Sequence, residues 1–339
     1  RPEVAQPAGG RPAAGVFHRL PERRVLVELH AALSDHQGPG LPGQGGQVPP
    51  VAHPAPALLP AISPSPAPER IRQEAYSPGG GFLRGARMSV FIAAQDHDLL
   101  QRNRLDSFDA LWALQLDAVD EPNTERGGWS SVYRLDLGDS AYYLKRQSNH
   151  LTRSLRHPLG EPTFAREFRN IERYRALGIP ALQAAFFAQQ AVGGERQAIL
   201  LTRALDGWQD LDTWLASWHD LAEERRRAIL RAVGRLARQL HAAGQMHGCF
   251  YPKHVFLREG ADGVFEACLI DLEKTRPIWF GRRDQVKDLE PMLRRAPDWS
   301  EADVHEFISA YVDEPLDSAE VEQWYRLLDQ RRRRKESRR

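Results

Sequence analysis

Cysteine is scarce: the 339 residues include two, Cys249 and Cys268, too few for a disulfide framework or a thiolate zinc cluster. Also missing is any run near the roughly 20 apolar residues of a membrane span, or a basic N-terminal stretch leading into an apolar one. The expected location is therefore the cytoplasm. No sign of charge dominates, since the formal net charge is +1, and no nucleic acid partner is expected on that ground. The first 87 residues lack Lys, Asn, Trp, Cys and Met altogether, yet hold 15 of the 24 Pro and 12 of the 26 Gly. Only "RVLVELHAAL" (Arg24–Leu33) forms an apolar run there. Residues 1–87 are expected to be disordered, or to be upstream sequence read through in frame to the first methionine, Met88.

Beyond Met88 the composition becomes that of globular material. Basic residues number 37 and acidic ones 39, a net charge of −2. The final "RRRRKESRR", Arg331–Arg339, holds seven cations against one acid. It reads as a solubilising helix end or as a peripheral contact with an anionic membrane surface.

The elements change character along the chain. "RLDSFDALWALQ" (Arg104–Gln115) reads as a short helix capped by Asp106 or Ser107. "RGGWSSVYRLDL" (Arg126–Leu137), the turn "GDS" and "AYYLKRQ" (Ala141–Gln147) predict a hairpin entered through two glycines. "TFAREFRNIERYRALG" (Thr163–Gly178) predicts a helix with Thr163 as its cap and Gly178 as its stop. Glu167 falls inside its apolar stripe and needs a partner there. "QAAFFAQ" and "QAILLTR" follow as strands, making a small sheet with one helix on it. From Ala204 onward the pattern is mostly helical, broken by the loop "MHGCFYPKHVFL" (Met246–Leu257) and the strand "FEACLIDLE" (Phe265–Glu273). The boundaries expected are an N-terminal lobe over 88–203, a C-terminal lobe over 204–330 and a basic tail over 331–339.

A glycine turn, a strand lysine, a helix glutamate, a helical lobe, a histidine-containing loop and a strand ending in Asp together follow the order of parts of a protein-kinase-like phosphotransferase. Gly127, Gly128 and Val132 lie where backbone could fold over phosphates, although a short glycine pair is a weak signal and a plain hairpin turn is the commoner explanation. Lys145 is either a snorkelling surface lysine or one held by an anion and a carboxylate. Glu167 supplies such a carboxylate. Asp271, with Glu273 beside it, suits Mg²⁺ bridging ATP phosphates, or caps the next turn.

"GGWSSVYRL", "YYLKRQ", "FAREFRNIERYRALGIPA", "LDGWQDLDTWL", "QMHGCFYPKHVFL" and "CLIDLEKTR" resemble the bacterial lipopolysaccharide-kinase group, and within it the InaA-type proteins. The resemblance covers about Trp129–Arg295. It implies an α+β, bilobal protein-kinase-like fold with ATP and Mg²⁺ as cofactors and a glycan or lipid-linked sugar as acceptor. It also implies that Lys145 meets the α/β phosphates, that Glu167 pairs with it and that Asp271 holds the metal. One departure stands out. Active members of the group place an Asp two residues after the loop histidine and a second His five residues further on; counted from His247, those positions hold Cys249 and His254. The register survives and the acid is missing. Cys249 can act as a base only as a thiolate, which Lys253, His247 and His254 would favour. The alternative is a small buried thiol in a pseudokinase that serves as a nucleotide-binding or scaffold protein in an envelope or acid stress response. A basic loop with Arg153, Arg156 and His157 is placed to face a phosphorylated saccharide or simply to be solvated.

Overall fold

The computed structural model describes residues 90–124, 127–153 and 157–337. The expectation for residues 1–87 therefore lies outside the described residues, as do Arg126 of the glycine turn, Arg156 of the basic loop, and Arg338 and Arg339.

The N-terminal part is built on a five-stranded antiparallel sheet. In chain order its strands are β1 (Phe91–Ile92), β2 (Trp129–Leu137), β3 (Ser140–Ser148), β6 (Ala184–Val192) and β7 (Glu195–Arg203), arranged β1-β6-β7-β3-β2. Two short strands, β4 (Leu151–Thr152) and β5 (Glu161–Pro162), pair with each other beside it. The predicted hairpin forms in full register, with Val132 opposite Lys145 and the turn at Gly138. Period-2 alternation divides the sheet's side chains. Ala198 and Leu200 pack under α3 (Thr163–Leu177) with Phe164, Ile171 and Tyr174. Tyr142, Leu144, Ile199 and Leu201 face the opposite way.

That second face carries more than the sequence suggested. Two helices, α1 (Ala94–Arg102) and α2 (Phe108–Ala113), cover it through Leu100, Phe108 and Leu111. The sheet is therefore covered by helices on both faces rather than by one helix. Ser107 caps α2 by accepting from the Ala110 N–H. Asp96 is fully buried and takes the Tyr142 hydroxyl at 2.8 Å and the Arg203 guanidinium at 2.6 Å, tying α1 to the last residue of β7. A buried carboxylate is tolerable only when so satisfied. Helix α3 begins at Thr163, but Pro162 stands at its cap; the Thr163 hydroxyl instead donates to the His150 carbonyl. Gly178 ends the helix at φ +69°, as expected.

The C-terminal part is mostly helical. Its elements are β8 (Gln209–Asp210), α4 (Leu211–Leu215), α5 (Glu223–Ala242), β9 (Gln245–Met246), β10 (Val255–Glu259), β11 (Phe265–Leu269), β12 (Arg276–Pro277), α6 (Arg282–Arg295), α7 (Glu301–Val312) and α8 (Ala319–Glu336). Strands β11, β10 and β8 form one small sheet, and β12 pairs with β9. A single apolar core runs from Phe164 on α3 to Leu328 on α8, so α3 belongs to both lobes. All the described residues fall in one compact unit, Pro78–Arg339. Helix α8 continues six residues into the expected basic tail. Arg331 approaches Glu290 at 3.9 Å while Arg332 and Arg333 bind Asp329, so three of the tail's cations are used within the protein. Among the described residues no helix is long and apolar enough to cross a membrane.

Helices α5 and α7 meet at Gly234, where an added Cβ would lie 2.5 Å from the Phe307 carbonyl oxygen and 2.7 Å from the Ala310 Cβ. Helix propensity favours Gly→Ala by about 1 kcal/mol, but forcing backbone apart costs about 1–3 kcal/mol. Gly234→Ala is expected to lower the thermal unfolding midpoint; chemical denaturation will give the same sign.

Candidate active site

Lys145 leaves the middle of β3 on the α3 side of the sheet and donates to Glu167 Oε1 at 2.6 Å. Glu167 is 3% exposed. Burial pushes its carboxyl up from the ordinary range, Lys145 pulls it down, and Asp271 and Glu273 push it up again. Those contributions place three carboxylates and one ammonium in the same field. The local sequence explains the arrangement. Alternation sends Tyr143 and Lys145 one way and Tyr142 and Leu144 the other, while the helical period puts Glu167 among Phe164, Ile171 and Tyr174.

The two glycines do different things. Gly127 has φ +76° with nothing close to it. A Cβ on Gly128 would lie 2.2 Å from the Ser148 carbonyl oxygen, so the second glycine is required by the packing of β2 against the end of β3. Val132 is half-buried in the strand that follows.

Asp271 follows β11 and adopts φ +56°, ψ +63°, a left-handed conformation uncommon for residues other than glycine. Such strain, of order 1–3 kcal/mol, persists where surrounding structure enforces it. Here the Ile270 N–H bonds the His254 carbonyl and Asn170 on α3 donates to the Leu272 carbonyl at 2.7 Å. The Asp271 carboxylate is half-exposed, with one oxygen 3.4 Å from His254 Nε2. Glu273 sits two residues on and accepts from the Thr152 hydroxyl at 3.4 Å.

The loop over 246–254 is held chiefly through its own backbone. His247 is fully buried: Nε2 donates to the Ile270 carbonyl at 2.9 Å and Nδ1 accepts from the Cys249 N–H at 3.3 Å. Both ring nitrogens are occupied, which makes His247 a positioning residue. His254 Nδ1 donates to the Cys249 carbonyl at 2.9 Å. Burial lowers the pKa of His254, and Asp271 beside it opposes that shift. The Cys249 backbone is thus fastened on both sides, and its thiol is 4% exposed. The cation beside that thiol is Lys274, whose pKa is raised chiefly by Cys249. The Tyr251 hydroxyl, pushed up by burial and then by Cys249, completes the surroundings. In the basic loop, Arg153 is exposed and His157 pairs with Glu161 at 3.2 Å.

Asp288 on α6 was not singled out from the sequence and organises the whole loop. It accepts the His247 N–H and the Gly248 N–H, both at 2.7 Å, and lies 3.2 Å from His241 Nε2. It is 1% exposed. The signal was there in principle: an acid set among Val286, Leu289 and Met292 at helical spacing, like Glu167. Asp284, one turn earlier, holds Arg276 through two bonds of 2.9 Å and accepts the Trp279 and Phe280 N–H groups. Leaving two buried N–H groups without acceptors costs about 1–3 kcal/mol each. Asp288→Ala should therefore lower the urea midpoint by an amount corresponding to several kcal/mol, and hydrogen exchange should show faster opening of residues 246–250 than of the β3 amides.

The donor set near Asp271 fits a hard cation in part. Among the described residues no group of three or more His, Cys, Asp and Glu side chains is gathered to hold a metal ion. Mg²⁺ commonly uses one or two carboxylates and takes its remaining oxygens from phosphates and water, and Asp271 with Glu273 matches that share.

A solved structure described as "WaaP in complex with acyl carrier protein" superposes with a TM-score of 0.53 at 22% identity, covering 72% of this chain and 99% of that one. The likeness supports the bilobal, protein-kinase-like fold. Protein InaA of Escherichia coli strain K12 is 32% identical over 207 residues, 58% of this chain and 94% of that protein. The lipopolysaccharide core heptose(I) kinase WaaP of Escherichia coli is 25% identical over 228 residues, 62% of this chain and 83% of that protein. Residues 109–311 match the family model described as "Lipopolysaccharide kinase (Kdo/WaaP) family"; the chain belongs to that family.

Proposed function

We propose that the chain binds ATP with Mg²⁺ between its lobes and transfers a phosphoryl group slowly to a sugar hydroxyl of lipopolysaccharide core or a related glycan. The observation that carries this reading is the 2.6 Å Lys145–Glu167 pair in the same field as Asp271 and Glu273. A buried ion pair alone is weak evidence for stability, so an ammonium fixed there is better explained by a polyanion that it binds. Lys145 would meet the phosphates. Asp271, assisted by Glu273, would hold the metal, which when bound neutralises charge developing on the transferred group. Asp271 enters already oriented by its backbone conformation. A Cβ added at Gly127 would meet nothing within 4 Å, and its N–H is the one suited to approach a phosphate.

The second reading, a pseudokinase, is favoured by Cys249. The acid's position holds a nearly buried thiol whose backbone N–H and carbonyl are both tied to histidines. His247 cannot substitute as a base, since both its nitrogens are engaged. Loss of a placed base typically costs ~10²–10⁴-fold in rate. Positioning and electrostatics supply most of the remainder in phosphoryl transfer. The two readings therefore share nucleotide binding and differ in turnover.

Full-length protein should gain thermal stability from ATP only when Mg²⁺ is present, and Lys145→Ala should abolish the gain; stabilisation that survives in Lys145→Ala would sink the proposed site. Turnover on core oligosaccharide, measured as ADP release, should rise by about 10²-fold in Cys249→Asp and vanish in Asp271→Ala. If Cys249→Asp binds ATP but stays silent with every core acceptor tried, the pseudokinase reading holds.

A further inference from the structure

The segment that leads from the candidate metal acid to α6 ends in two adjacent exposed aromatics, Trp279 at 67% and Phe280 at 62% exposure. Scattered exposed apolar side chains need no explanation. These two are neighbours, and the backbone holds them in place. The Ile278 N–H bonds the Gly244 carbonyl at 2.8 Å, and the Trp279 and Phe280 N–H groups both bond buried Asp284, at 3.0 and 3.2 Å. Arg276, itself fixed by Asp284, stacks over the Trp279 ring at 4.7 Å. A carboxylate buried to 3% exposure thus presents a Trp–Phe tip to solvent.

Cations continue from that tip. Arg283 lies over Phe280 at 5.7 Å, and the row at four-residue spacing along α6 reads Arg283, Lys287, Pro291, Arg295. All three cations are exposed, the row holds no acid, and among the described residues no carboxylate pairs with Arg283 or Lys287. The row ends at the candidate site, because Arg295 stacks on the ring of Tyr251 at 3.8 Å, two residues from Cys249.

We infer that the Trp279–Phe280 tip and the Arg283–Lys287–Arg295 row form a docking surface for a bilayer bearing anionic headgroups. Indole and phenyl rings settle at the water–hydrocarbon interface. Cations near such a surface each strengthen binding about fivefold. Neither alone anchors a protein well, and the two signals together do. Docked so, the loop carrying Cys249 faces the membrane through Tyr251 and Arg295, which suits an acceptor sugar carried on a lipid. The docking itself does not depend on phosphoryl transfer. It assigns membrane contact to this surface rather than to the C-terminal tail, where Arg331, Arg332 and Arg333 are paired within the protein.

Sedimentation of the full chain with vesicles tests this. Vesicles of phosphatidylglycerol mixed with phosphatidylethanolamine should retain the protein; vesicles of phosphatidylcholine alone should not. The double variant Trp279→Ser, Phe280→Ser and the double variant Arg283→Glu, Lys287→Glu should each weaken retention about tenfold or more, with unfolding midpoints unchanged. Removal of residues 334–339 should leave retention within about twofold. Three results would overturn the proposal: no retention on the anionic vesicles, wild-type retention by both folded double variants, or retention lost on removing residues 334–339. Should the aromatic variant fail to fold, the charge variant and Trp279→Phe decide: Trp279→Phe should keep most of the retention, and equal binding of wild type and charge variant would refute the surface. Binding to single-stranded nucleic acid without vesicle retention would also refute it.

Discussion

The buried contact between Lys145 and Glu167 is the constraint on which the site depends. It joins the middle of β3 to the second turn of α3, and α3 in turn reaches into the helical lobe through Asn170 at the Leu272 carbonyl and Tyr174 at the Thr275 hydroxyl. Moving α3 would therefore disturb the lysine, the Asp271 turn and the loop over 246–254 together. Removing one member of such a pair leaves an uncompensated buried charge, typically costing about 3–5 kcal/mol. Asp271 and Glu273 add like charge to the field around Glu167. In the proposed reading, a cation held by those carboxylates would offset that like charge, and a polyanion on Lys145 would balance the cation.

The loop that carries Cys249 is held by a connected network. Asp288 gathers two backbone N–H groups and His241, His247 bridges Ile270 and Cys249, and His254 bridges Cys249 and Asp271. This network fixes backbone rather than reacting atoms. It survives substitution at residue 249 because only main-chain atoms of Cys249 take part in its hydrogen bonds. The Cys249 side chain itself is flanked by Lys274 and Tyr251.

Much of this could be read from the sequence where a residue broke a simple period. Glu167 interrupts an apolar helical stripe, and the structure gives it the partner that burial demands. The β2–β3 hairpin followed from alternation and a glycine turn, and its register matched. Asp288 breaks a stripe in the same way, yet two of its three partners are backbone amides, which leave no trace in side-chain identity. Helix α1 was hidden for another reason: nine residues with a buried Asp96 give a weak apolar pattern, and tertiary contacts to Tyr142 and Arg203 stabilise it. The role of Gly128 was also invisible, since close packing on Ser148 and folding over a phosphate require the same residue.

The central claim is that Glu167 acts on nucleotide only through Lys145. A double-mutant cycle on Mg²⁺–nucleotide affinity, using Lys145→Met, Glu167→Gln and the pair together, measures this directly. The account predicts that each single change weakens binding and that the double change is no worse than Lys145→Met alone, a coupling of about tenfold or more. Additive losses, or a Glu167→Gln variant that binds as tightly as the unaltered protein, would contradict it.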